Sequence, residues 1–225
     1  MKFMLDTIDL EDIKEMMSYF PISGITSNPS IIKSVAPNNF YNHMRKIRQI
    51  IGNNCSLHIQ IISSDYENML KEAKYITSEI DKEVYIKIPV TKDGLRAIKE
   101  LKVRGYNVTA TAVYTKLQAY LALECGADYI APYVNRILNL ESNPYDLINS
   151  LRNLIMQGNY KCQIVAASFK SLNQIYNSLD NGAHSVTVTP ELLKQIFDNP
   201  SIDLAVNNFK KDWEMLYGET NTCFK

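Results

Sequence analysis

The sequence predicts an α/β fold, a (β/α)8 TIM barrel with an extra C-terminal helix over residues 201–218. Three observations carry this. Short apolar, β-branched runs alternate with helix-period segments, the pair recurs eight times, and all of it fits within 225 residues. Alternating strands and helices call for a parallel sheet, and an α/β barrel fills about 200–250 residues as one domain. A doubly wound open sheet is the alternative that the same alternation permits.

The elements follow in order from periodicity. An extended run at 3–7 precedes a helical pattern at 10–19. The next units pair 22–27 with 40–51, 57–62 with 66–80, and 84–90 with 94–103. Residues 107–113 then lead to 114–124, 129–134 to 144–156, 163–168 to 172–179, and 185–188 to 190–197. A ninth helix at 202–217 carries Leu204, Phe209, Trp213 and Leu216 and is surplus to the barrel. It is expected to dock on the barrel's base or on another subunit. With 8 Gly and 8 Pro there is no flexible linker, so residues 1–225 read as a single domain.

Charge and motif content exclude several function classes. Lys and Arg number 24 against 24 Asp and Glu, which removes the electrostatic argument for nucleic acid or an anionic membrane, though not for a local anion site. No run approaches the roughly 18 apolar residues of a membrane span. The start, MKFMLDTIDLEDIKEMM, has acids where a secretory signal would be apolar, so a cytoplasmic protein is expected. Cys55, Cys125, Cys162 and Cys223 lack CxxC spacing and read as reduced, mostly buried thiols. His43, His58 and His184 form no metal-ligand pattern with them, and there is neither a GxGxxG nor a Walker loop. No metal and no cofactor is expected.

Strand parity supplies the functional signal. In a barrel, alternate residues face the interior and the others face the helices. Val84, Ile86, Ile88 and Val90 make one aliphatic face, so Lys87 points inward with Tyr85 and Pro89. The same test selects Asp6, Thr26 with Asn28, His58 with Gln60, and Thr109 with Thr111. Tyr133 shares parity with Ala131 and Asn135, and Ser168 ends the seventh strand. Polar groups near carboxyl ends stand where barrel enzymes keep their sites. Burial lowers a lysine's pKa, and a neutral amine adds to a ketone to give a Schiff base. The bland alternatives for Lys87 are a buried ion pair with Asp6 or a side chain snorkelling to the rim. His58 reads as a satisfied core histidine or as a group supporting the site. Asn28 before Pro29 also suits a turn or helix cap, and Arg136 a surface ion pair.

The segments GITSNPSII, VYIKIPVTKDGLRAIKEL, TAVYTKLQA, GADYIAPYVNR and VAASFK follow one another in order. Together they resemble the short-chain transaldolase family, most closely its fructose-6-phosphate aldolase branch, from LDT near the start to FKKDWEMLYG near the end. The resemblance implies a metal-free barrel with its Schiff-base lysine at Lys87, acting on sugar phosphates. It assigns donor hydroxyls to Asp6, Thr26 and Asn28, a catalytic water to Gln60, Thr111 and Tyr133, and a further substrate contact to Ala131. Arg136 and Ser168 match the acceptor-phosphate site, which suits a guanidinium fork and a hydroxyl donor. Short transaldolases generally carry Glu and Phe where this chain has Gln60 and Tyr133, so the aldolase branch is favoured over a dihydroxyacetone-transferring transaldolase. A noncatalytic sugar-phosphate-binding barrel is the alternative from another class. Thr189 before Pro190, and Thr109, which is expected to face the pocket, depart from the branch and bear on substrate preference. The resemblance also implies a homo-oligomer, often a decamer, clasped by the last helix.

Overall fold

Eight parallel strands pair in chain order and close into a barrel in the computed structural model, which describes residues 1–218. They are β1 (Lys2–Asp6), β2 (Ile22–Thr26), β3 (Ser56–Gln60), β4 (Tyr85–Pro89), β5 (Asn107–Val113), β6 (Tyr129–Pro132), β7 (Gln163–Ala166) and β8 (Ser185–Val188). β8 pairs with β1 from Lys2 opposite Ser185 to Leu5 opposite Val188, so the open-sheet alternative is gone.

The helices are α1 (Leu10–Tyr19), α2 (Pro29–Val35), α3 (Phe40–Ile51), α4 (Tyr66–Glu79), α5 (Lys92–Val103), α6 (Lys116–Glu124), α7 (Val134–Leu138), α8 (Pro144–Gln157), α9 (Leu172–Asp180), α10 (Pro190–Lys194) and α11 (Pro200–Tyr217). Most begin at a side chain able to cap free amide groups. Asp9 accepts from Glu11 N and Asp12 N, and Thr115 and Gln118 form a capping box. Each such cap contributes about 0.5–2 kcal/mol. Helix α3 buries Met44, Ile47 and Ile51, the spacing of one helical face.

Outward strand residues such as Val84, Ile86 and Ile88 join the main apolar core between sheet and helices. A separate cluster of Met4, Tyr129, Ala131 and Val165 lies within the barrel, with Tyr85 packed on it. The pleat therefore sorts two cores by parity.

Several elements differ from the periodicity reading. α2 is an added helix, started by Asn28 and Pro29 and ended by Ala36 at φ 47°. Its seven residues are too short for a periodic signal. β6 stops at Pro132, and residues 134–138 turn into α7 instead of extending the strand. In β5, Ala112 at φ 54° coincides with a register shift against β6 between Ala110 and Val113, a bulge beside the carboxyl ends. Phe197 stacks on Phe20 after α1, with ring centroids 5.5 Å apart, and anchors the chain just before α11. α11 itself has no buried residue. The expectation of mostly buried thiols also needs correction. Cys55 and Cys125 are half-buried and Cys162 alone is buried among the described cysteines, while Cys223 lies outside the described residues. No helix among the described residues is long and apolar enough to cross a membrane.

Candidate active site

At the carboxyl ends of the strands a cavity of about 270 Å³ has Asp6, Asn28, Lys87, Tyr133, Arg136 and Ser168 in its lining, together with Lys170, Thr187, Thr189 and residues of α2. Lys87 is 5% exposed. Its Nζ donates to Ser27 O at 2.7 Å. Burial pulls its pKa down, and the negative charge of Asp6 opposes that pull. Asp6 acts across space, without an ion pair to Lys87. The side chain therefore neither snorkels nor sits in a direct salt bridge. A lysine whose pKa is pulled down by burial is the better placed to act as a nucleophile.

Ser27 explains the lysine's partner. Its N–H and its hydroxyl both donate to His58 O, at 3.2 and 3.3 Å. That double attachment of β2's end to β3 leaves the Ser27 carbonyl for Lys87.

Asp6 sits at the end of a hydroxyl chain. Thr26 Oγ1 donates to Asp6 Oδ1 at 2.6 Å and lies 2.7 Å from Thr187 Oγ1. A hydroxyl has one proton, so with Thr26 donating to Asp6 the second bond is donated by Thr187. Burial raises the Asp6 pKa, against the lowering effects of Lys87 and Thr26.

Tyr133 and Thr111 meet at 2.9 Å between hydroxyls. Burial raises the Tyr133 pKa more than the Thr111 hydrogen bond lowers it. Arg136, on α7, lies over the Tyr133 ring with its guanidinium carbon 5.0 Å from the centroid, and Nη1 donates to Tyr114 Oη at 3.2 Å. It has no carboxylate partner among the described residues, so the surface ion pair is not formed. Ser168 adopts φ 65°, a left-handed conformation costing roughly 1–3 kcal/mol for a residue with a side chain. Its carbonyl receives the Asn135 N–H at 2.9 Å, tying β7's end to α7. An unpaired cation beside a hydroxyl at the mouth of a pocket suits a phosphate.

Not every expected residue joins this group. Gln60 stands beside Lys87 in the β3–β4 register, and its Oε1 is buried with no hydrogen-bond partner. It lines a second crevice of about 200 Å³ that also includes Pro29 and Pro89, and it is not bonded to Thr111 or Tyr133. Ala131 is buried in the inner cluster and does not line the cavity. Asn28 lines the cavity, yet its Oδ1 caps α2 by accepting from Ser30 N and Ile31 N. Both readings of Asn28 therefore hold. The expectation that Thr109 faces the pocket is corrected: its hydroxyl is 2.8 Å from His58 Nδ1, deeper in the barrel. His58 Nε2 is 2.9 Å from Ser56 Oγ, and the ring stacks on Tyr85 at 4.6 Å. Burial pushes its pKa down to about 3, so this is a neutral core histidine.

Three contributors escaped the sequence reading. Thr187 shares parity with Ser185 on β8, so the parity test would have found it. Ser27 acts through its backbone carbonyl, which no side-chain pattern reveals. Tyr114 meets Arg136 only because α7 brings them together. Among the described residues no three metal-ligating side chains converge.

A family model described as transaldolase/fructose-6-phosphate aldolase matches residues 3–220. The chain belongs to this family. Within the transaldolase/fructose-6-phosphate aldolase family it is 45% identical over 213 residues to a Streptococcus pneumoniae protein named "probable fructose-6-phosphate aldolase", covering 95% of this chain and 96% of that protein. The family match covers β2 to β8 in full and β1 from Phe3, so the Lys87 cavity lies wholly within it.

Proposed function

We propose that the chain is a class I aldolase that reversibly cleaves fructose 6-phosphate, or a similar ketose phosphate, through a Schiff base on Lys87. The observation that carries this reading is the buried, carbonyl-anchored Lys87 facing Asp6, Tyr133 and Arg136 across one cavity. The Lys87 amine adds to the C2 ketone, and loss of water leaves an iminium. Removal of the C4 hydroxyl proton breaks C3–C4, and the bonding electrons move onto the iminium to form an enamine. That proton leaves through a relay of the Tyr133 hydroxyl and a water held with Thr111 and Gln60, whose buried Oε1 is an acceptor in want of a donor, and the relay later returns a proton to C3. Glyceraldehyde 3-phosphate departs from Arg136 and Ser168. Protonation of the enamine at C3 and hydrolysis release dihydroxyacetone and restore the amine. Asp6, with Thr26 and Thr187 behind it, orients the donor hydroxyls and exchanges protons around the imine. Gln60 cannot titrate, which favours release of dihydroxyacetone over transfer to a second sugar.

Borohydride trapping with dihydroxyacetone, followed by peptide mass mapping, tests the mechanism. Reductive modification of Lys87 is expected, and an unmodified Lys87 under conditions that trap a related aldolase overturns it. The same reading carries a homo-oligomer, with a decamer as the size to test. α11 leaves Ile202, Leu204, Phe209 and Leu216 exposed, a set of apolar side chains suited to a neighbouring copy. Truncation after Pro200 should dissolve the assembly by light scattering.

A further inference from the structure

At the opposite end of the barrel, a groove of about 760 Å³ lies among the starts of β1, β7 and β8 and the last turns of α8. It is far larger than the Lys87 cavity of about 270 Å³. Its lining includes Met1 at the chain start, Lys2, Arg152, Lys161 and His184, and no Asp or Glu. None of these three cationic side chains has a carboxylate partner within 4.0 Å among the described residues. The carboxylates bonded nearby are already engaged, Glu124 by the Tyr160 hydroxyl and Asp128 by Lys102. In a chain of zero formal net charge, this is a local excess of positive potential.

The hydrogen bonds within the groove point the same way. His184 Nδ1 accepts the Ile164 N–H at 3.0 Å, so the neutral ring carries its proton on Nε2. That Nε2 meets Arg152 Nη1, which is also a donor. Both are donors, so neither satisfies the other, and each needs an acceptor from outside the pair. Burial first, and the Arg152 charge after it, push His184 down to about 4, so the ring is neutral beside the guanidinium.

We propose that this basal groove binds a small, multiply charged anion of the phosphate-ester class, through Arg152 and His184 with Lys2 and Lys161 supplying further charge. Concave shape and convergent donors favour a small molecule, and the guanidinium fork matches phosphate oxygens. Barrel chemistry sits at the carboxyl ends of the strands, so a ligand at the amino ends is an effector and not a substrate. The proposal is independent of the aldolase reading.

Inorganic pyrophosphate is the probe, titrated calorimetrically into the full chain carrying Arg136→Gln, which weakens the other candidate phosphate site. Binding is expected to persist in that variant. Adding Arg152→Gln should weaken it at least about ten-fold, the scale of one charge-assisted contact. Lys161 is exposed on a loop, so Lys161→Gln tests the same groove without burdening the fold, and a several-fold loss is expected. Absence of binding to the Arg136→Gln protein overturns the proposal. So does binding that neither Arg152→Gln nor Lys161→Gln weakens.

Discussion

The inward positions of β3, β4 and β5 supply two polar layers, one pleat apart, that meet opposite fates. The deeper group is His58 with Tyr85 and Thr109, which touch it, and two residues further along the same strands stand Gln60, Lys87 and Thr111. Below, the polar groups answer one another: His58 reaches Thr109 and Ser56 through its two nitrogens and stacks on Tyr85. Above, satisfaction is incomplete. Gln60 Oε1 has no partner, Lys87 is held by one backbone carbonyl, and Ser168 at the rim is held in a left-handed conformation. Buried polar groups that satisfy one another stabilise a fold, whereas unanswered ones near a cavity are held ready for a ligand at some cost in stability.

The contrast is sharpened by substitutions that should split activity from stability. Lys87→Met is expected to lower aldol cleavage more than about 10⁴-fold, since the cavity's other lysine, Lys170, is exposed and does not take the buried place on β4. Its melting temperature should hold or rise, because a buried amine is exchanged for an apolar chain of similar length. A clear fall in melting temperature would break the distinction between the layers. Tyr133→Phe should reduce kcat by about 10²–10⁴-fold, the range for loss of a positioned acid–base group, with unfolding little changed.

Asp6→Asn gives a signed effect on the pH profile. The Asp6 charge raises the Lys87 pKa against the stronger lowering by burial. Removing it should therefore move the acid limb of kcat/KM to lower pH, measured on whatever activity remains. A shift to higher pH would contradict the through-space coupling. In the deeper layer, His58→Phe should leave kcat within a few-fold while stranding the Ser56 and Thr109 hydroxyls. Their lost bonds cost about 1–3 kcal/mol, or several degrees in melting temperature for a chain this size. The wild-type imidazole is held down to about 3 from 6.5. Its stabilising contribution is thus complete above about pH 6.5 and lost as the pH falls towards 3. Thermal unfolding across that window should be flatter for His58→Phe than for the wild type.

Much of this was legible in one dimension. Eight strands with their following helices appear as alternating periodicities, and the inward turn of Lys87 follows from a pleat period of two. Short helices were not legible: α2 and α7 rest on caps and on bonds from β7's end, and neither is long enough to repeat a pattern. Parity also treats Thr109 and Thr111 alike, although one bonds His58 and the other Tyr133. Ala131 has the inward parity expected of it and still stops short of the cavity.

By itself, the sequence determined the alternation of elements, the closure expected at this length, and which strand faces would turn inward. Those properties are local, since periodicity is set by backbone geometry within each segment. Only the tertiary structure decided which inward groups satisfy one another and which are left unanswered. Ser27's carbonyl, Thr187 and Arg136 reach the cavity by register between strands and by the turn into α7, and the basal charges meet only because β1, β7 and β8 start where α8 ends. Hydrogen-bond satisfaction depends on distances across strands, and no spacing along the chain encodes them.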